Sequence, residues 1–214
     1  LEIEKISGIE RVRYTTSHPK DMTGDLIDVY KNSKKLMPLV HLPVQSGSDK
    51  ILSLMNRKHT INEYQEIFYK LKEINNKIEF SSDFIIGYPG ETLEDFKQTE
   101  KLIKNVQYIN SYSFIFSARP GTPAFNLENV NQSEAKERLI SFQSLAEEIK
   151  TKYRKTLIGG ISNVLFENKT KEGNKYFGRD EYLNSVVVKS NENLVGKIKK
   201  VKIVSGNHNT LYGE

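Results

Sequence analysis

Apolar positions along the first 130 residues alternate between two periods. Residues 11–16 alternate as a strand, residues 23–30 space their apolar side chains as a helix, and residues 39–45 return to a strand. Residues 49–55 form a short helix in this reading, capped by Ser48, and residues 62–74 a longer one. Residues 80–87 are a near-continuous apolar run, 93–106 a helix, and 109–117 a further strand. Strands recurring roughly every 30 to 40 residues with helices between them predict parallel βα units. Residues 131–157 then read as one long helix, with Leu139, Phe142, Leu145, Ile149 and Tyr153 on one face and Asn131 with Glu134 as a capping pair. Gly159-Gly160 ends it. From Ile161 the period is two: residues 161–166, 183–188 and 195–204 alternate or run apolar, with turn signals between them. Short strands at this spacing predict a small all-β barrel of OB-like type.

The run Ser82-Asp83-Phe84-Ile85-Ile86-Gly87-Tyr88-Pro89-Gly90-Glu91-Thr92 is the centre of the first part. A lone carboxylate, Asp83, inside a buried strand needs a partner. Thr92 with Asp95 makes a capping pair, so the stretch reads as strand, glycine turn, helix N-terminus. Free N–H groups there would favour a carboxylate or phosphate. An ordinary βα turn explains the same residues equally well. Each strand nevertheless ends in a polar turn cluster: Thr15-Thr16-Ser17-His18-Pro19, Gln45-Ser46-Gly47-Ser48, Gly87 to Glu91, and Ser117 to Thr122. In a parallel barrel such ends share one face, and four in succession favour a common ligand site. Four strands do not close a barrel, so further strands are expected before residue 1.

Composition narrows the chemistry. The 214 residues contain no Cys, which excludes disulfides and thiolate metal sites within them, and four His without ligand spacing argue against a zinc site. No apolar run is long enough for a membrane span and no signal peptide is visible. Residues 151–214 carry 12 Lys and Arg against 6 Asp and Glu, while the rest of the chain nets −1. That concentration of positive charge suggests an appended nucleic-acid-binding module, although a Lys-rich solvated surface would give the same excess.

The segments RVRYTTSHP, HLPVQSGSDKILSLMNRKHT, DFIIGYPGETLEDF and FIFSARPGTPA, followed by the small β-domain, together resemble the methylthiotransferases of the radical-SAM superfamily, and among them the MiaB type. The resemblance covers essentially the whole chain. It implies a partial (β/α) TIM-like barrel over residues 1–157, here its C-terminal half, and a TRAM-like RNA-binding domain over 158–214. It also implies methylthiolation of C2 of isopentenyl-adenosine beside the tRNA anticodon. The alternatives are action on threonylcarbamoyl-adenosine tRNA or on a ribosomal protein, or a non-catalytic RNA-binding module.

The cofactors implied are S-adenosylmethionine and two 4Fe–4S clusters. The family holds these clusters with cysteines that this chain lacks, so the fragment alone is expected to be inert. The resemblance places Gln45 and Ser46 against the ribose or methionine part of S-adenosylmethionine and Ile85 to Gly87 against its adenine. It leaves Asp83 either a cofactor or substrate contact or a partner for a neighbouring cation. Arg119 is assigned to the cofactor carboxylate, an RNA phosphate or a structural salt bridge. No catalytic residue or metal ligand is named; His18 reads as a turn residue and Arg57 as a helix-end cation that could reach the site. Arg179, Lys197, Lys199, Lys200 and Lys202 are the expected phosphate contacts. Tyr176, Phe177 and Tyr182 are candidates for base stacking, with Phe177 favoured for the core. The expected partners are the tRNA anticodon stem-loop and an electron donor such as flavodoxin or ferredoxin, for a cytoplasmic monomer without membrane contact.

Overall fold

The structure is a computed structural model and describes residues 2–15 and 18–214. The chain divides into two compact units, one of residues up to Leu36 and Val40–Ile149, the other of Met37–Leu39 and Lys150–Glu214. The break falls inside the long helix.

In the first unit, α1 (Gly24–Asn32), β1 (Leu39–His41), α2 (Asp49–Leu54), α3 (Ile61–Ile74), β2 (Glu79–Ile86), α4 (Leu93–Val106), β3 (Asn110–Ile115) and the long α5 (Gln132–Thr156) follow one another. The sheet order is β1-β2-β3, with β3 parallel to β2 and Asp83 opposite Tyr112. The strand expected at residues 11–16 does not form. Val12 makes only an isolated bridge to Leu36, and Thr16 lies outside the described residues. Among the described residues of the first unit, three strands are therefore present where four were expected. The period-two pattern there was too short to carry a ladder without a longer neighbour.

One face of β2 turns Phe80, Phe84 and Ile86 into a core with Tyr64, Phe68 and Leu71 of α3, Phe96, Leu102, Ile103 and Val106 of α4, and Phe142 and Ile149 of α5. Phe84 packs its ring 4.6 Å from Phe142 and 5.4 Å from Tyr108. β1 is shorter than its pattern because the Ser82 hydroxyl takes over the ladder. Ser82 Oγ accepts the Val44 N–H at 2.9 Å and donates to the Leu42 carbonyl at 2.8 Å. Tyr64, fully buried, donates to the same carbonyl and accepts from Tyr108, each at 2.9 Å. Every polar atom of this buried network is satisfied, which is the condition under which it fixes a strand register instead of weakening it.

Both long mid-chain helices start with reciprocal capping boxes, Thr60 with Glu63 and Thr92 with Asp95. At the start of α5 the expected pair does not form. Asn131 accepts the Ser133 N–H, and Glu134 turns along the helix to Arg138.

In the second unit, β4 (Ile161–Lys169), β5 (Lys175–Arg179), β6 (Ser185–Lys189), β7 (Ile198–Gly206) and β8 (Leu211–Gly213) close a barrel in the order β4-β5-β6-β8-β7. β6 and β8 are parallel, and the other neighbours whose pairing is recorded are antiparallel. Val164, Phe166, Tyr176, Val186, Val188, Leu194, Val201, Ile203 and Leu211 fill it. β5 and β8 were not foreseen. β5 is five residues long and contains Gly178, where an added Cβ would lie 2.4 Å from the Leu165 carbonyl, and β8 has only three residues.

Candidate functional site

The face of β2 turned away from the helices carries Asp83 and Ile85. Parallel register sets Tyr112 beside Asp83 and Phe114 beside Ile85, and these two aromatic rings are 51% and 60% exposed. His41, at the end of β1, completes the group. Its Nε2 is 3.5 Å from Asp83 Oδ2, its Nδ1 lies 3.0 Å from Ser81 Oγ, and its ring meets Tyr112 edge-on at 6.1 Å. The charge of Asp83 is also felt by the guanidinium of Arg57, opposing the burial that lowers the Arg57 pKa. Asp83 thus has a cationic neighbour, as a carboxylate in an apolar run requires. It keeps about a third of its side chain open, with two aromatic faces beside it. Such a surface can accept hydrogen bonds from sugar hydroxyls and stack a base.

The strand ends gather along one edge. Gln45 bridges to Phe84, with its N–H on the Asp83 carbonyl and its own carbonyl accepting from Ile85. Its φ of +75° is unusual for a residue with a side chain, and such outliers persist where the surroundings over-determine them. Phe116 continues β3 onto the Ile86 carbonyl, and Arg119 follows in the exposed loop, where its carbonyl accepts from Thr122.

Two expected contacts are already occupied from within. Ser46 is 1% exposed and its hydroxyl sits against Thr99 and the Ser48 N–H. Gly47 packs so tightly that a Cβ would lie 2.5 Å from the Thr99 Cα. Gly87, at φ +71°, makes its close approach to α5: a Cβ there would lie 2.7 Å from the Ala135 Cβ.

The helix N-terminus that read equally as an anion site or an ordinary βα turn is filled by the chain's own carboxylates. Glu91 accepts the Gly87 N–H at 3.1 Å, and Asp95 accepts the Thr92 N–H at 2.9 Å. Asp95 also takes Ser48 Oγ at 2.7 Å and Lys50 Nζ at 2.8 Å. Burial would raise its pKa, but the hydrogen bonds from Lys50, Thr92 and Ser48 outweigh it and hold the carboxyl well below its usual range. Glu91 pairs with Arg138 at 2.8 Å, both deeply buried. Burial dominates there and raises the Glu91 pKa against the pull of Arg138. Nothing in the local spacing announced Glu91–Arg138 or Lys50–Asp95, since each joins residues more than 40 positions apart.

On the barrel, Lys197, Lys199, Lys200 and Lys202 are all exposed, with Lys199, Lys200 and Lys202 opposite Val164, Asn163 and Ile161 of β4. Arg179 is paired with Glu167 at 3.2 Å and lies 5.6 Å from the centre of the Phe177 ring. Tyr176, not Phe177, is the core residue: it is 5% exposed, and Phe177 is half-buried. Tyr182 packs edge-on against Tyr153 at 6.2 Å. Among the described residues no group of three or more His, Asp or Glu is placed to hold a metal ion, and no helix is long and apolar enough to cross a membrane.

Residues 1–103 match the model of the Radical SAM superfamily. Over all of its length the chain is 58% identical to the tRNA-2-methylthio-N(6)-dimethylallyladenosine synthase of Pelagibacter ubique (strain HTCC1062), covering 48% of that protein. It is 45% identical over 99% of its length to the synthase of the same name from Buchnera aphidicola subsp. Baizongia pistaciae (strain Bp), again covering 48%. Among solved structures, the radical SAM enzyme coproporphyrinogen III oxidase (HemN) of Escherichia coli aligns with a TM-score of 0.55 over 80% of this chain and 46% of that one, at 14% identity, a likeness of fold. Along its whole length the chain is similar to proteins named as tRNA-2-methylthio-N(6)-dimethylallyladenosine synthases, and it spans about half the length of the curated relatives it matches.

Proposed function

We propose that this chain serves the synthesis of 2-methylthio-N6-dimethylallyladenosine in tRNA, by radical-SAM methylthiolation at C2 of isopentenyl-adenosine beside the anticodon. The observation that carries this reading is the 58% identity, along the entire chain, to a protein named for that product. The first unit reads as the C-terminal part of a (β/α) radical-SAM barrel. The second, a small closed five-stranded barrel, reads as an OB-like TRAM RNA-binding domain.

S-adenosylmethionine, when bound with a reduced iron–sulfur cluster, supplies a carbon radical able to abstract hydrogen from the base. The residues of this chain do not fit the cluster itself: thiolates are required and there are none. They do fit the nucleoside part of the cofactor. Asp83 and Gln45 offer acceptors and donors for hydroxyls, Ile85 with Tyr112 and Phe114 gives an apolar wall, and Arg119 stands exposed at the edge for a carboxylate or phosphate. The work of these residues is to hold reactants within roughly 3–3.5 Å and keep water out. Ser46 and Gly87 support this edge from behind, through Thr99 and Ala135. Lys197, Lys199, Lys200 and Lys202 track the phosphates of the anticodon stem-loop, with Arg179 available by exchange from Glu167. An electron donor of flavodoxin or ferredoxin type, a cytoplasmic location and a monomeric state complete the proposal.

The test is a nucleoside digest. In a bacterium whose own synthase gene is deleted, the reading frame encoding this chain should restore the 2-methylthio derivative of dimethylallyladenosine, seen by mass spectrometry. Persistent dimethylallyladenosine overturns the proposal. Methylthiolation of threonylcarbamoyl-adenosine or of a ribosomal protein instead would move the chain to those substrates.

A further inference from the structure

Ser81, Asp83 and Ile85 alternate onto the open face of β2, and the parallel register of β3 sets Asn110, Tyr112 and Phe114 beside them. His41 spans the first two of these rows. Its Nδ1 lies 3.0 Å from Ser81 Oγ, its Nε2 3.5 Å from Asp83 Oδ2, and its ring meets Tyr112 edge-on at 6.1 Å. Ser81 is buried, so its hydroxyl serves the imidazole and not a ligand. One neutral tautomer satisfies both polar contacts. With the hydrogen on Nε2, His41 turns an N–H toward the carboxylate and accepts the Ser81 O–H at Nδ1. Asp83 is thereby held from one side, while its other side stays partly exposed. The Arg57 guanidinium, which also feels the Asp83 charge, competes for that carboxylate.

We propose that His41 is a positioning residue: oriented by Ser81, it fixes the Asp83 carboxylate to accept the vicinal hydroxyls of an adenine nucleoside. This rests on the assignment of Asp83 to nucleoside hydroxyls in the proposed function, and adds the two residues that aim it. A carboxylate on a mobile side chain loses rotamer freedom when it binds a diol, and one already held loses less. A neutral imidazole supplies that hold through one N–H and leaves the carboxylate its charge. Without it, the carboxylate is left to the pull of Arg57. Gln and Asn separate the roles of the two ring nitrogens. The side-chain amide of Gln reaches to the place of Nε2, and that of Asn only to the place of Nδ1.

The experiment measures dissociation constants of S-adenosylhomocysteine by calorimetry on the purified product of the reading frame encoding this chain, with adenosine and 2′,3′-dideoxyadenosine as competitors. His41→Ala should bind S-adenosylhomocysteine about tenfold more weakly and lose most of the preference for adenosine over the dideoxy nucleoside. His41→Gln, which keeps an N–H at the place of Nε2, should restore binding to within about twofold, His41→Asn should not, and Ser81→Ala should fall between them. In an Asp83→Ala background, His41→Ala should have no further effect. The proposal is overturned if His41→Ala binds as tightly as the original while Asp83→Ala does not, if Asn substitutes as well as Gln, or if the losses at His41 and Asp83 simply add. If Asp83→Ala itself leaves the affinity unchanged, the hydroxyl assignment of the proposed function fails and the positioning role falls with it. The comparison of Gln with Asn decides the matter where His41→Ala does not fold.

Discussion

Glu91 and Arg138 form an ion pair of 2.8 Å in which the carboxylate side chain is 1% exposed and the guanidinium 5%. It fastens the glycine turn after β2 to the second turn of α5, and Arg138 also donates to the Glu91 carbonyl at 3.0 Å. A turn that would otherwise be a surface loop is thereby fixed at the edge where Gln45 and Gly87 lie.

Breaking this pair should be costly and unequal on its two sides. Arg138→Ala leaves a buried carboxylate without its cation, and a loss of about 3–5 kcal/mol in urea unfolding is expected. Glu91→Gln keeps an acceptor for the Gly87 N–H and leaves Arg138 with Glu134, so its loss should be clearly smaller. Equal losses, or an Arg138→Ala loss below about 1 kcal/mol, would show that the pair does not hold the turn.

Gly87→Ala combines two penalties, a positive φ and a contact of 2.7 Å with the Ala135 Cβ. A loss of about 1–3 kcal/mol is expected. Adding Ala135→Gly should return only the steric part of it. Full recovery in the double variant would mean that backbone strain contributes nothing, and no recovery would mean that the close approach does not matter.

Asp95 sets an acid limit. Its carboxyl is held below the usual value in the folded chain, so its contribution is fully present above the unfolded carboxylate range, near about pH 4, and is lost as pH falls through the folded value. Unfolding free energy followed from neutral pH into the acid range should therefore fall more steeply for the original chain than for Asp95→Asn. Parallel pH profiles would contradict the assigned role of Lys50, Thr92 and Ser48.

Much of this arrangement could be read from residue order. The helices α2 to α5 and the reciprocal cap of Thr92 with Asp95 follow from period and capping chemistry, whereas the cap of Thr60 with Glu63 was not read. The edge formed by Gln45, Gly87 and the loop after β3 follows from strand endings. Pairings between distant residues could not be read. Ser46 was expected to touch the cofactor, and nothing in its neighbourhood reveals that Thr99 comes within reach of its hydroxyl. The glycine turn left an anion site and an ordinary turn equally open because residue order does not show that Glu91 and Asp95 fold back onto the N–H groups that a ligand would use. Tyr176 and Phe177 were interchanged because a short strand with one glycine leaves its inward face undetermined until the barrel closes around it.

Replacing Lys197, Lys199, Lys200 and Lys202 together by Gln should weaken binding of an anticodon stem-loop. The slope of log K against log salt should become shallower by about 0.7 to 0.9 for each phosphate no longer neutralised. The barrel core, built from β4 to β8, does not include these side chains, so folding should be unaffected. Unchanged affinity and salt slope would remove RNA binding from this strand.

Asp83 is the residue on which the proposed chemistry turns, because it faces away from the core, partly open, between His41 and the aromatic pair Tyr112 and Phe114. The decisive measurement is the ratio of 2-methylthiolated to unmodified dimethylallyladenosine in tRNA from a strain whose only synthase gene is the one encoding this chain, with Asp83→Ala against the unaltered gene at equal protein level. A fall of about tenfold or more is expected if this face holds the reactants. An unchanged ratio would contradict it and move the reaction away from the sheet.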